Sequence, residues 1–333
     1  MGTEFKLGHA ISRFAACAMV LASLAACGGG DGASTPVVNG SGSQSPISTA
    51  PVGINYTSQL AVAGAAAAVG LFNKQGADGY AYVGSYAFNT GTGATPSYAV
   101  EELFVKGQAN TTYQYKAVSE PTPATDWLAM LNTEGANGYL YKGSQYFSGN
   151  SVSVPTGPTN ALFVKSSARN TTYSYRQIAG ASTLSALNAN GADGFASRGE
   201  YAHGSAIYSV YVKDNSSSAT FSYVTKPDNS TAPALLADMN TMGSQMYVYT
   251  GTYALGGSIV AIYEKNSAST VATEYTNAPL SLTKSNQQLV SKANQFAATG
   301  YFYFGDLAVS TNLFSFFYKG AAVTNPISGP VFP

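Results

Sequence analysis

Three observations predict an α+β body built from five β-α-β-β units. A helix-end pattern, Asn-x-x-Gly-x-x-Gly-aromatic, recurs five times at periods of about 52–59 residues. Each copy leads into strand-like alternation and then into a strand ending in lysine. The composition agrees: 24 tyrosines and 35 glycines, with only 10% charged residues, suit β structure with neutral polar surfaces.

The helix comes first. The pattern stands as Asn73, Gly76, Gly79, Tyr80, again as Asn132, Gly135, Gly138, Tyr139, and again as Asn188, Gly191, Gly194, Phe195. The fourth copy keeps Asn240, Gly243 and Tyr247 with Met246 at the second glycine. The fifth keeps Asn294, Gly300 and Tyr301 with Ala297 at the first. Apolar pairs before the asparagine (Val69/Phe72, Leu128/Leu131, Leu184/Leu187, Leu236/Met239) have i, i+3 spacing, which sets them on one face of a short helix. The first glycine is expected to supply the left-handed residue that ends the helix. The asparagine is expected to tie the helix terminus to the following turn. Asp78 and Asp193 read as turn residues tolerant of left-handed geometry.

Strands follow. Tyr80-Ala-Tyr82, Tyr139-Leu-Tyr141, Tyr247-Val-Tyr249 and Tyr301-Phe-Tyr303 alternate with strand period, as a stripe half-buried between layers or, alternatively, a sugar-stacking platform. Further glycines lie at Gly84, Gly143, Gly199, Gly251 and Gly305, and the next strands end at Lys106, Lys165, Lys213, Lys265 and Lys319. One more strand, such as Thr112–Tyr115 or Thr172–Tyr175, precedes each helix. Tyr56, Tyr115 and Tyr223 each stand 17 residues before a helix asparagine. The units therefore run about 52–107, 108–166, 167–214, 215–266 and 267–320, in one domain spanning 51–320, with a Pro-containing tail at 321–333. The end copies keep their aromatic strands, which favours a closed pseudo-fivefold ring or propeller-like body over the alternative, an open solenoid with polar caps. Five units of one helix and three strands resemble the cyclic element order of the pentein fold, an analogy of fold that implies no function.

The N-terminus carries an address. Lys6 and Arg13 precede an apolar run, Phe14–Ala26, that suits a signal-peptide core and is too short for a membrane span. It closes in Leu24-Ala25-Ala26-Cys27, which resembles the lipobox of bacterial lipoproteins. The resemblance implies a signal peptide at 1–26, cleavage before Cys27 and lipidation, palmitate included, on that residue. Gly28 in place of aspartate implies sorting to the outer membrane. Residues 27–50, rich in Gly, Ser, Thr and Pro, read as a flexible tether spanning about 25–30 Å as a coil. With Cys17 in the signal and Cys27 acylated, the body holds no disulfide and no thiol nucleophile.

Candidate chemistry is sparse. Formal net charge is zero, which removes the basic footprint nucleic acid requires. One histidine, His203, remains after the signal. It is expected in a surface hairpin, and no Gly-x-Ser-x-Gly elbow accompanies it. No catalytic residue, metal site or cofactor is assigned, and a non-enzyme is expected. Glu101 and Glu102 are adjacent on a strand and so point to opposite faces. The five lysines occupy equivalent positions, where they either guard strand ends or form a basic collar for an anionic ligand. Units one and two carry eight extra residues between glycine and lysine, lengthening hairpins at about 87–101 and 146–160. Tyr98, Glu101, Tyr146 and Phe147 lie there and are the candidate partner-binding residues. The expected function is a non-enzymatic binding module at the cell envelope, contacting glycan or envelope protein. An envelope polysaccharide hydrolase and a self-associating surface protein are the alternatives.

Overall fold

The computed structural model describes residues 53–89, 98–107, 111–149, 159–203, 206–255, 258–279, 286–310 and 312–320. The signal, Cys27, the tether, the C-terminal tail and the tips of both long hairpins lie outside them. The first unit runs β1 (Asn55–Leu60), α1 (Ala65–Ala77), β2 (Tyr80–Asn89), β3 (Tyr98–Lys106). The second runs β4 (Tyr113–Ser119), α2 (Ala124–Ala136), β5 (Leu140–Gln145), β6 (Asn160–Ser166). The third runs β7 (Tyr173–Ala179), α3 (Leu184–Ala192), β8 (Ala196–His203), β9 (Ala206–Asp214). The fourth runs β10 (Phe221–Pro227), α4 (Ala232–Ser244), β11 (Val248–Leu255), β12 (Ser258–Asn266). The fifth runs β13 (Glu274–Pro279), α5 (Asn286–Ala297), β14 (Phe302–Val309), β15 (Asn312–Lys319). The β-α-β-β order expected from the sequence holds in all five.

Each unit folds into its own three-stranded antiparallel sheet with the last strand in the middle, as in β1-β3-β2. The second strand bulges just before its glycine, between Tyr82 and Gly84 and at the same place in every unit. A bulge adds one residue on one side and sharpens the twist, so the same break recurs where the next unit makes contact. Two residues before the lysine, each central strand places an aromatic, Phe104, Phe163, Tyr211, Tyr263 and Phe317, and all five are fully buried. No helix among the described residues is long and apolar enough to cross a membrane.

Helices lie between sheets. Phe72 of α1 stacks on Tyr82 of its own sheet at 4.5 Å and meets Tyr115 of the next at 5.7 Å. A helix buried on two faces needs apolar residues on both. Fully burying one Phe or Leu is worth about 1.5–3 kcal/mol, so Phe72, Leu131, Leu187 and Met239 are principal anchors. The pairing repeats down the chain: α1 with β4, α2 with β7, α3 with β10, α4 with β13, and α5 with β1.

Three local expectations are corrected. The first glycine of the motif has no left-handed backbone. Gly76, Gly135 and Gly243 sit inside their helices, and the positive φ belongs to the second glycine, 86° at Gly79 and 83° at Gly138, with Met246 at 67° in unit four. What demands glycine at the first position is close approach: a Cβ there would lie 2.1 Å from the Tyr113 carbonyl oxygen at Gly76, and 2.0 Å from that of Thr273 at Gly243. Asp78 and Asp193 are helix C-caps at φ near −80°, not left-handed. His203 is no surface residue: it is buried, stacked on Trp127 of unit two at 4.9 Å, with Nε2 3.0 Å from the Thr122 carbonyl oxygen.

Candidate functional site

The helix asparagine makes the recurring contact between units. Asn73 Oδ1 accepts the Tyr115 backbone N–H at 2.6 Å, and its Nδ2 donates to the Tyr115 carbonyl at 3.1 Å. Asn132 does the same to Tyr175, Asn188 to Tyr223, and Asn240 to Tyr275. Asn294 does it to Tyr56, 238 residues away, at 2.7 and 3.1 Å. The expected tie to the helix's own turn is thereby replaced. These tyrosines lie on the open edge of the first strand, where N–H and C=O lack a ladder partner. A carboxamide offers the same donor and acceptor pair as a peptide and fills that rung.

The clamped tyrosine answers in return. Its hydroxyl accepts the backbone N–H of the preceding unit's second strand: Tyr115 from Tyr82 at 2.6 Å, Tyr175 from Tyr141, Tyr223 from Ser197, Tyr275 from Tyr249, and Tyr56 from Tyr303 at 2.6 Å. Burial pushes these phenols up. They therefore remain neutral hydroxyls at any physiological pH.

The third-to-fourth seam departs from this pattern. Where the other units have Val105, Val164, Val212 and Tyr318, unit four has Glu264, fully buried, accepting from the Tyr223 hydroxyl at 2.5 Å. Burial raises its carboxyl to about 7, against smaller lowering effects of Tyr223, Arg198 and the Ser197 amide. Beside it, a cleft lined by Ser182, Ser197, Glu200, Tyr223, Thr250 and Tyr253 has room for about one water. It is too small for a sugar or peptide.

The sheets have two distinct ends. The lysine end carries the glycine turns and the links between units. There each lysine lies over its unit's aromatic ring, Lys106 over Tyr80, Lys165 over Tyr139, Lys213 over Phe195, Lys265 over Tyr247 and Lys319 over Tyr301, at 4.5–5.7 Å. Lys165 and Lys213 also donate to the helix-capping carbonyls of Asn137 and Asp193, both at 2.9 Å. A cation suits that spot because the helix C-terminus carries partial negative charge.

The hairpin end carries the helix N-termini and one carboxylate per unit held by hydroxyl or amide donors. Ser85 donates to Glu102, Ser144 to Glu120, the Ser182 N–H to Glu200, Thr252 to Asp228 and Ser315 to Asp306. Most of the large apolar side chains left in solvent stand here, with Ile207 46%, Ile259 57% and Leu60 55% exposed. Of the candidate binding residues, Tyr146 is exposed and Phe147 packs 6.3 Å from Phe72. The Phe147 carbonyl accepts the Gly64 N–H at 2.9 Å, so the hairpin of unit two laps over the entry to α1. Glu101 is buried, and Tyr98 opens β3 opposite Asn89. Sequence reasoning missed Ile207 and Ile259. Their signal was a β-branched residue just after each short hairpin turn.

Residues 44–202 match the family described as PT dipeptide repeat lipoprotein. No curated protein and no solved structure matches the chain. The family match supports a lipoprotein built of repeats.

Proposed function

We propose that this chain is an outer-membrane lipoprotein, acylated at Cys27, whose five units close into a ring that serves as a non-enzymatic interaction module. Support for the ring is the contact of α5 with β1 and the Asn294–Tyr56 clamp, which repeats across the chain ends the geometry of the four sequential seams. Support for the anchor is the lipobox-like Leu24–Cys27 together with the lipoprotein repeat match.

One observation carries the binding role. The exposed isoleucines, Leu60, Tyr146 and both lengthened hairpins share the end of the body opposite the point where the chain enters at Asn55. Apolar side chains on hairpins held far from the anchor are placed to meet a partner, glycan or protein, rather than the anchoring leaflet. The test is capture from envelope fractions and a glycan panel by the mature chain. The same capture is run with both long hairpins cut to the length in unit three and with Ile207→Ser/Ile259→Ser. Binding lost in these variants with unchanged thermal stability supports the reading. Equal capture by all three proteins refutes it.

A further inference from the structure

The lysine end joins two independent features. Strand β1 opens at Asn55, in register with Lys106, so the segment leading from Cys27 reaches the body at that end. The links between units turn there as well. The second feature is charge. Several cations at this end are neutralised locally: Lys319 pairs with Glu274, Arg169 with Asp214 and Arg176 with Asp193. Lys106, Lys165, Lys213, Lys265 and Lys74, the last in the final turn of α1, form no ion pair among the described residues. The four ammonium groups lie over aromatic rings at this rim, Lys165 and Lys213 also donating to helix-end carbonyls, so their positive charge is held there without a carboxylate partner. At the other end Glu102, Glu120, Glu200, Asp228 and Asp306 are held by hydroxyl or amide donors.

We infer that the lysine end is a docking face for an anionic lipid headgroup surface, the leaflet into which the Cys27 anchor inserts. The inference rests on the lipoprotein reading. Fewer than 30 residues separate Cys27 from β1, so an anchored body stays at high local concentration over that leaflet and weak attraction suffices to orient it. The attraction acts at contact, since it decays within about 10 Å at ordinary salt. Each lysine near an anionic surface strengthens binding about fivefold, so four together give more than a hundredfold. Docked this way, the hairpin end points away from the membrane, toward whatever the module binds.

The test uses the mature-length chain with Cys27→Ser, so that no lipid contributes. It is sedimented with vesicles of phosphatidylglycerol and phosphatidylcholine, and with phosphatidylcholine alone. The expected result is partition onto the anionic vesicles only, abolished at about 0.5 M salt, where screening is nearly complete. Lys106→Gln, Lys165→Gln, Lys213→Gln and Lys265→Gln combined should lower it more than a hundredfold, and Lys226→Gln, toward the hairpin end of β10, should leave it unchanged. If the fourfold variant does not fold, the single variants at about fivefold each and the salt titration of the parent decide. No binding to anionic vesicles, equal binding to both, or a folded fourfold variant that binds like the parent overturns the inference. Acylation is read separately, from the mass of the membrane-extracted protein, so a failure of the anchor reading is told apart from a failure of the docking face.

Discussion

Replacing Asn294 with alanine tests whether the fifth and first units truly hold each other. The substitution removes an acceptor 2.7 Å from the Tyr56 N–H and a donor 3.1 Å from its carbonyl, at a part-buried strand edge. Two lost hydrogen bonds, each worth about 0.5–1.5 kcal/mol net, and partial stranding of two backbone groups cost about 2–3 kcal/mol. Alanine's better helix propensity returns about 0.5 kcal/mol. The net is about 2 kcal/mol, or a fall in Tm of about 4–8 °C for a body of this size. Urea unfolding of the unlipidated chain measures it, with Asn132→Ala at an internal seam as the reference. A closed ring makes the two losses similar. If Asn294→Ala costs under about 0.5 kcal/mol while Asn132→Ala costs about 2, the chain ends do not meet in solution and the ring is wrong.

Four further outcomes follow. Gly243→Ala should destabilise by at least about 3 kcal/mol, because its methyl would fall 2.0 Å from a backbone carbonyl, whereas Ala297→Gly at the equivalent position of unit five should cost far less; differential scanning calorimetry compares them. Glu264 holds its proton in the folded state up to about pH 7 but releases it near the ordinary carboxylate value when unfolded. The folded form thus binds more protons between about pH 4.5 and 7, so stability should fall by up to about 3 kcal/mol as pH rises through that window and stay flat above it. Glu264→Gln should flatten that slope in urea titrations at several pH values. His203→Ala should uncover Trp127, the chain's single tryptophan, and red-shift its fluorescence while leaving the unfolding midpoint within a few degrees.

Much of the architecture was legible because it rests on short-range periodicity. The i, i+3 apolar pairs found the helices, and the buried member of each pair is the one just before the asparagine. Alternation found the strands, and the inner tyrosines Tyr82, Tyr141, Tyr249 and Tyr303 are core, as the packing reading held. Helix-end expectations failed for one reason. A glycine and an asparagine near a helix terminus satisfy local capping rules, yet here both answer to a strand some 40 residues further on. Their constant company with a tyrosine in the unit's first strand was the one available clue. His203 was misplaced for the same cause: a short hairpin reads as surface until a neighbouring unit supplies a tryptophan to cover it.

The sequence by itself determined the unit, its five copies and its element order, since each is written in residues close together along the chain. Only the tertiary structure decided what each repeated residue is for. Asn294 and Tyr56 are 238 residues apart, and nothing local distinguishes an amide that caps its own helix from one that completes another unit's strand. Nor does the sequence say that the isoleucines of two hairpins share one end while the lysines and the chain's entry share the other. Strand register decides that, because pairing Asn55 with Lys106 fixes which end every later turn must occupy.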